Sequence, residues 1–498
     1  MNKPGSRYVE LIVFLGGMSV MSGEMAASRL IAPYFGTSLF VWTNLIGIIM
    51  LFLTAGYYAG GRIADKNPHV KVMASITFWT GAYFAILPFM IRPVMKQAIR
   101  AIELASVPAF YSWLVFSVAI ISLPMAALGM ISPLAIRIKS RNLKEVGSVS
   151  GRIYAIGTAG SIIGTFIPAL LTIPLIGTKN TFVLFGFALM IASATGMKSR
   201  KKTAAAAALL ILLAVNPAIK AEPGLVFEDE SAYNYIQIIR EGGSTYLKLN
   251  EGNAFHSQYN EKAILTGSVW DYFLILPHLK EGRNRTNESM LIIGLAGGTI
   301  SRQYNHFYPE ISIDGVEIDR QIIETAREYM GLGSQKVRIY ISDGRTFLES
   351  TEKKYDYIII DAYRQPYIPF HLATREFFEL TKNKLSENGV TAINIGATDK
   401  NSRLYKSITN TMASVYGTVY SVDVPNTFNH IVIGMNGNAK AGLSDADPAE
   451  IEVKKLVRYA EHSIERVEHD QKGPVFTDDR APVELLTDLM IIDYAEQI

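Results

Sequence analysis

Residues 289–299 read Ser-Met-Leu-Ile-Ile-Gly-Leu-Ala-Gly-Gly-Thr, a short apolar run that ends in a cluster of glycines. Such a run followed by a glycine turn is typical of a buried β-strand that leads into a helix. Glycine at this turn lets a ligand approach the backbone where the next helix begins, so Gly294 and Gly297 are candidate ligand-binding positions. A plain tight turn would give the same sequence, and the motif therefore needs support from the strands around it.

Strands and helices alternate along the C-terminal half of the chain. Helical periodicity covers 320–330 and 375–385, between short β-rich runs. The predicted strands are 290–293, 311–316, 337–341, 355–360, 390–395 and 419–424. This alternation predicts a doubly wound α/β fold with a mostly parallel sheet, which binds ligands at the carboxyl ends of its strands. Before it, 225–256 contains short strands and turns that predict a small β-rich subdomain.

Acidic residues follow three of these strands where each strand ends. Glu317 lies about 20 positions after Gly294, where a carboxylate can accept both ribose hydroxyls of a nucleoside. Asp343-Gly344 follows the third strand, where an acid can accept a hydrogen bond from an adenine amino group, and Asp361 follows the fourth. Each acid alone could cap a helix or lie in a solvated loop. The glycine turn and these three acids follow four consecutive strands, and residues of a suitable type at all four strand ends favour a nucleoside site.

The first 220 residues differ in composition from the rest. The chain is 49% hydrophobic and 19% charged, but its long apolar runs all lie in this part. A helix needs about 20 apolar residues to cross a bilayer. Runs suited to spanning are 8–32, 38–64, 70–91, 108–136, 152–176 and 181–197. A seventh, 203–219, is shorter and alanine-rich, so six or seven transmembrane helices are predicted. Gly160 and Gly164 form a GxxxG pair, which favours close helix packing.

These patterns divide the chain into three predicted domains. We expect a transmembrane helical domain at 1–221, a small β-hairpin subdomain at 222–288 and a Rossmann-like nucleoside-binding domain at 289–498. Loops rich in lysine and arginine follow the second, fourth and sixth runs, which places those loops and the N-terminus in the cytoplasm. A seventh true span would put the C-terminal domain outside the cell. If 203–219 lies in the interface or re-enters the membrane instead, that domain is cytoplasmic, which we favour because such a nucleoside substrate is made in the cytosol.

The composition excludes several classes of function. A net charge of +3, without a basic stripe, argues against nucleic-acid binding. There are no cysteines, so disulfides and thiolate sites are excluded. No second histidine lies at ligand spacing from His371, and we expect no metal site.

Several motifs resemble those of the spermidine synthases, or polyamine aminopropyltransferases, and the apolar half resembles that of their membrane-fused members. The matching motifs are Leu-Ile-Ile-Gly-Leu-Ala-Gly-Gly-Thr, Asp-Gly-Val-Glu-Ile-Asp, Ser-Asp-Gly-Arg, Ile-Ile-Ile-Asp-Ala-Tyr and, from Thr477, Thr-Asp-Asp-Arg-Ala-Pro-Val-Glu. The resemblance implies a methyltransferase-type Rossmann-like domain in which Glu317 holds ribose and Asp343 holds adenine. It also implies that Asp361 is the general base, as the first acid of the family motif Asp-x-x-Asp-Pro.

The chain departs from this family where the amine would bind. Arg364 replaces the second acid of the motif, and the glycine loop lacks the aspartate that holds the aminopropyl group. Asn234, after Tyr233, stands where the family usually has glutamine, and Asn260 stands where it usually has histidine. We expect Tyr233, Asn234, Asn260, Tyr363 and Arg364 to contact the acceptor. An arginine in place of a carboxylate would repel a polyamine.

The resemblance implies an enzyme of the cell membrane that transfers an alkyl group from decarboxylated S-adenosylmethionine, or S-adenosylmethionine, to an amine and releases methylthioadenosine. A methyltransferase or another S-adenosylmethionine-consuming enzyme is the first alternative, because it shares the core strands. A transporter or sensor with a nucleoside-binding domain is the second. The expected partners are a small amine acceptor and the lipid bilayer, and a homo-oligomer is left open.

Overall fold

A computed structural model describes residues 4–36, 39–103, 107–140, 142–197, 200–209, 219–220, 222–250, 254–279, 287–364, 366–436, 443 and 451–495. The chain forms two compact units. The first comprises Met1–Glu222 and Glu228–Tyr235, and the second comprises Pro223–Phe227 and Ile236–Ile498. The three-domain division at 221 and 288 stays a prediction.

The first unit is built from long apolar helices. They are α1 (Pro4–Phe35), α2 (Leu39–Lys66), α3 (Val70–Glu103), α4 (Val107–Gly129), α5 (Ile131–Lys139), α6 (Val146–Ile167), α7 (Ile173–Met197) and α8 (Arg200–Leu209). Within the described residues, five stretches are long and apolar enough to cross a membrane: Arg7–Phe35, Phe40–Lys66, Val70–Ile91, Leu114–Lys139 and Leu143–Met197.

The last of these stretches explains the difference from the six or seven predicted spans. It is 55 residues long and contains two predicted spans. Gly177 has a φ of 78°, which is not helical, so the helix breaks inside this stretch. Of the seventh predicted span, α8 covers the first residues, while 210–218 lie outside the described residues. The number of spans stays a prediction.

The predicted GxxxG contact is confirmed by the packing of α6 on α1. A Cβ on Gly160 would overlap the carbonyl oxygen of Phe14, and one on Gly164 would overlap that of Met18. Ser22 donates to the Gly164 carbonyl at 3.0 Å. The two backbones therefore touch at positions where only glycine fits.

The segment Glu228–Tyr235 is held inside the same unit. The Glu230 carboxylate accepts hydrogen bonds from the Thr178 backbone N–H at 2.7 Å and from its hydroxyl at 2.8 Å. The Arg29 guanidinium donates to the carbonyl of Ala232. Because the helix breaks at Gly177, the Thr178 N–H is free to bind this carboxylate, and the segment is fixed at both points.

The second unit contains the larger of two sheets and most of the smaller one. The smaller has the strand order β1 (Leu225–Glu230), β2 (Tyr235–Glu241), β3 (Ser244–Leu249) and β4 (Phe255–Tyr259). The strands of the larger are β5 (Ser289–Ile293), β6 (Ser312–Glu317), β7 (Arg338–Ile341), β8 (Tyr355–Ile360), β9 (Leu385–Gly396), β10 (Thr418–Asp423), β11 (Asn429–Met435) and β12 (Glu465–Val467). Its order is β12-β10-β11-β9-β8-β5-β6-β7.

Helices cover both faces of the larger sheet. They are α9 (Val269–Tyr272), α10 (Thr299–Phe307), α11 (Arg320–Tyr329), α12 (Gly344–Ser350), α13 (Arg375–Asn383), α14 (Arg403–Val415), α15 (Ile451–Ser463) and α16 (Val483–Ala495). Met290 and Ile292 of β5 pack into one apolar cluster, while Leu291 and Ile293 pack into another. Successive strand residues point to opposite faces, so the sheet is doubly wound as predicted.

The strand directions locate a ligand crevice. Strands β9, β8, β5, β6 and β7 run parallel, while β10, β11 and β12 pair antiparallel. The chain leaves β5 toward β6 and β7 and returns to the other side of β5 as β8. Ligands of doubly wound sheets bind at such a reversal of strand order, beyond the carboxyl ends of the strands. The Asp361 N–H donates to the Ile293 carbonyl at 2.9 Å and closes the sheet there.

Candidate nucleoside site at the strand ends

The glycine loop after β5 is held tightly by its neighbours. Gly294 has a φ of 87°, and a Cβ there would lie 2.6 Å from the carbonyl oxygen of Asp361, so only glycine fits. The Gly297 N–H donates to the Ser257 hydroxyl at 2.8 Å. The ligand role predicted for Gly297 therefore stays a proposal, since its N–H already has a partner within the protein.

Glu317 ends β6 and is buried. Its two carboxylate oxygens accept the backbone N–H of Ala296 at 3.0 Å and of Asp319 at 3.2 Å. Burial raises the pKa of Glu317 to about 7, against the opposing effect of these N–H groups. Each carboxylate oxygen keeps a lone pair that can accept a hydroxyl hydrogen. The geometry therefore suits a ribose with two adjacent hydroxyls.

Asp343 begins α12 and carries several hydrogen bonds at once. One oxygen accepts two backbone N–H groups of the first helical turn, both at 3.0 Å. The other lies 2.9 Å from His371 Nε2, and this hydrogen bond is the main cause that lowers the pKa of Asp343 to about 2. A Cβ on Gly344 would collide with the side chain of Ile293. Gly344 thus lets α12 start directly against β5, with Asp343 at the same edge.

Asp361 follows β8 and keeps intermediate exposure. Its carboxylate accepts a hydrogen bond from Asn394 Nδ2 at 2.9 Å and a second from the Trp270 side chain. Burial raises the pKa of Asp361 to about 7, although both hydrogen bonds act in the opposite direction. An acid with a pKa near the working pH can both accept and release a proton.

The loop after Asp361 is anchored by two tyrosines. The Tyr363 hydroxyl donates to the Asn394 carbonyl at 2.9 Å and accepts the Gly396 N–H at 2.7 Å. Burial raises the pKa of the Tyr363 hydroxyl. Arg364 and Tyr367 exchange two backbone hydrogen bonds of 2.8 and 3.0 Å, which close a tight turn. The hydroxyl of Tyr363 thus fixes the loop to β9, and its predicted contact with the acceptor stays a proposal.

The C-terminal residues hold the other end of this loop. Asp478 accepts two hydrogen bonds from the Arg345 guanidinium, at 2.7 and 2.6 Å, and one from the Thr374 hydroxyl at 2.8 Å. Asp488 accepts the Tyr367 hydroxyl at 2.7 Å. The paired Arg345–Asp478 contact is the bidentate geometry that gives strong ion pairs.

Tyr233, Asn234 and Asn260 are the acceptor-side residues predicted before the larger sheet. Tyr233 is exposed and Asn234 is buried, and both belong to the segment Glu228–Tyr235 of the helical unit. Asn260 Nδ2 donates to the Ser244 hydroxyl at 3.0 Å, and its Oδ1 accepts two backbone N–H groups of the next turn at 2.9 and 3.2 Å. The Asn260 side chain is thus engaged locally, and the substrate roles of these residues stay proposals.

Sequence reasoning missed three residues of the site. Trp270 of α9 and Asn394 of β9 reach Asp361 through packing, and no local pattern indicates such contacts. Asp478 lies within the quoted Thr-Asp-Asp-Arg motif, so a signal was present, but its partner Arg345 is distant in sequence. Among the described residues, no group of acidic or histidine side chains is arranged to hold a metal ion.

Comparison with known proteins defines the class of this chain. Residues 272–442 match the family described as the spermine/spermidine synthase domain. A probable polyamine aminopropyl transferase of Bifidobacterium longum is 31% identical, over 53% of this chain and 63% of its own length. A polyamine aminopropyltransferase of Vibrio vulnificus is 32% identical, over 41% of this chain and 71% of its own. Polyamine aminopropyltransferase 2 of Aquifex aeolicus is 24% identical, over 86% of this chain and 88% of its own.

The chain therefore belongs to the spermidine synthase, or polyamine aminopropyltransferase, family. Enzymes of this family are transferases that use decarboxylated S-adenosylmethionine as co-substrate. The chain spans less than two thirds of the length of the Bifidobacterium relative.

We predict that Glu317→Gln weakens binding of methylthioadenosine by about 1.5–3 kcal/mol, because a charged acceptor of ribose hydroxyls is lost. Wild-type affinity should also fall as the pH drops below about 7, where Glu317 takes up a proton. Titration calorimetry at pH 6 and pH 8 measures both effects. Glu310→Gln, at an exposed position before β6, is the matched control. Unchanged affinity in folded Glu317→Gln protein would exclude the ribose role.

Proposed function

We propose that the chain is a membrane-attached transferase that moves an aminopropyl group from decarboxylated S-adenosylmethionine to an amine acceptor and releases methylthioadenosine. Asp361 carries this proposal. It is a carboxylate at the end of β8, in the crevice of the sheet, and its pKa is raised to about 7 by burial. Family membership supports the donor and the type of reaction.

The reaction is a direct displacement at carbon. The lone pair of a neutral amine attacks the propyl carbon next to the sulfonium, and a new C–N bond forms. The C–S bond breaks with its electron pair on sulfur, which leaves neutral methylthioadenosine. The nitrogen then carries one proton too many, and Asp361 accepts it. The alignment of both reactants at attack distance supplies much of the remaining acceleration.

The surroundings of Asp361 suit a base. Asn394 and Trp270 fix the orientation of the carboxylate without adding charge, and the Tyr363 hydroxyl is engaged by the backbone of β9. Since burial rather than a neighbouring cation sets its pKa, the ionised form is reactive toward protons at neutral pH. Asp361 can then shuttle a proton in every turnover.

The nucleoside half of the donor has its own set of residues. Glu317 presents two oxygens for ribose hydroxyls, and Asp343 lies at the next strand end with His371 beside it. The hydrogen bonds from the first turn of α12 and from His371 hold the Asp343 carboxylate in place at the strand end, where it can accept a hydrogen bond from an adenine amino group. This arrangement supports binding of an adenine nucleoside.

The N-terminal helices support attachment to a membrane. Five described stretches have the length and composition of membrane spans. The relative from Aquifex aeolicus aligns over most of both halves. We favour the cytoplasmic side for the sheet domain, because the nucleoside donor is made in the cytosol. The basic loop after α5 is then on the same side, and 203–219 is not a true span.

Replacement of the base should separate binding from turnover. We expect Asp361→Asn to keep its affinity for methylthioadenosine and to lose about 10²–10⁴-fold in turnover, the usual contribution of a positioned proton acceptor. In the wild type, the rate should rise with pH through about 7 as Asp361 ionises, and the mutant should lose this step. Steady-state kinetics measures both, with Glu387→Gln, at an exposed position of β9, as control. Full turnover by Asp361→Asn would refute the assignment.

Reporter fusions test the side of the membrane. A reporter after residue 498 and one inserted at 140–145, between α5 and α6, should report the same, cytoplasmic side. A third reporter at 104–106, between α3 and α4, should report the opposite side and serves as control. Opposite results for the first two would place the sheet domain outside the cell.

A further inference from the structure

Arg364 carries a positive charge on the loop that follows β8. It is exposed and lies three positions after Asp361. Within the parts of the chain that the structure describes, no carboxylate pairs with its guanidinium. Two acids that contact this loop or begin it have other partners, since Asp361 binds Asn394 and Asp488 binds Tyr367.

The backbone at Arg364 is fixed although its side chain is exposed. The Arg364–Tyr367 turn is closed by two backbone hydrogen bonds, and both flanking tyrosines are anchored by their hydroxyls. Tyr367 and Ile368 are buried. Arg364 is thus exposed between two tyrosines whose hydroxyls are bonded, which suits a recognition residue.

The same region offers little to a second ammonium group. Asp361 is needed to take the proton of the attacking amine, and its described neighbours Trp270, Asn394 and Tyr363 are neutral. The glycine loop at Gly294–Gly298 contains no acid. A diamine would leave one ammonium near a guanidinium, whereas a carboxylate there would form a charge-assisted, bidentate pair.

We propose that Arg364 binds a carboxylate carried by the amine acceptor, so that the acceptor is an amino acid with its amine directed at Asp361. This inference rests on the proposed aminopropyl transfer and specifies its acceptor class. The bond changes are those of the proposed reaction, and the carboxylate of the acceptor stays unreacted. Arginine suits this role because its planar fork matches a carboxylate.

Matched pairs of acceptors test the proposal. Full-length protein in detergent is given decarboxylated S-adenosylmethionine with 4-aminobutyrate or 1,4-diaminobutane, which differ only in the distal group, and with the pair one carbon longer. We expect kcat/KM for the amino acid to exceed that for the diamine by about tenfold or more. Arg364→Met should remove this preference by raising KM for the amino acid, and Arg364→Asp should reverse the preference. Arg327→Met, at an exposed position of α11, should change neither.

The outcomes separate three accounts. Equal or better use of the diamine by wild type, or an unchanged preference in Arg364→Met, overturns the acceptor assignment while aminopropyl transfer stands. If Arg364→Met instead raises KM for S-adenosylmethionine alone, Arg364 binds the carboxylate of the donor, which also overturns it. Absence of transfer to every acceptor refutes the proposed function. In that case, calorimetry measures the affinity of methylthioadenosine-loaded protein for both acceptors. If 4-aminobutyrate does not bind more tightly than 1,4-diaminobutane, the inference is wrong.

Discussion

Glu317 is buried and Asp361 is half-buried at strand ends on either side of β5, and the organisation of the sheet domain depends on keeping these two carboxylates there. Removal of a charged group from water is costly unless hydrogen bonds replace the lost hydration. Glu317 receives backbone N–H groups, while Asp361 receives the side chains of Asn394 and Trp270. The cost that remains is expressed as a pKa of about 7 for both groups. Their charge is thus available to a ligand at neutral pH.

The apolar sheet makes this arrangement possible. Residues of β5 and β8 are almost fully buried on both faces, so the strand ends cannot shift to hydrate the acids. Gly294 and Gly344 allow the neighbouring backbone to approach where a Cβ would collide. The C-terminal motif then fixes the loop beyond β8 through Arg345 and Asp478. Packing, the two glycines and the Arg345–Asp478 ion pair therefore all fix the region at the ends of β5 and β8.

The sequence predicted what local patterns encode. The parallel strands, the glycine turn and the strand-end position of Glu317 and Asp361 were recognisable because an apolar run and its terminal acid are adjacent in the chain. The partners of these acids were not, since Trp270 and Asn394 meet Asp361 only after folding. Strands β11 and β12 were missed because they are added to the sheet by antiparallel pairing outside the strand–helix alternation. The break at Gly177 falls between the predicted runs 152–176 and 181–197, because the polar residues that follow it interrupt the apolar pattern.

The identity of the nucleoside product tests the central claim most directly. Purified full-length protein is incubated with a panel of amines and either decarboxylated S-adenosylmethionine or S-adenosylmethionine, and the products are identified by mass spectrometry. Aminopropyl transfer predicts methylthioadenosine from the decarboxylated donor, in equal amount to an acceptor that has gained an aminopropyl group. Formation of S-adenosylhomocysteine from S-adenosylmethionine, without methylthioadenosine from either donor, would show methyl transfer and contradict the account.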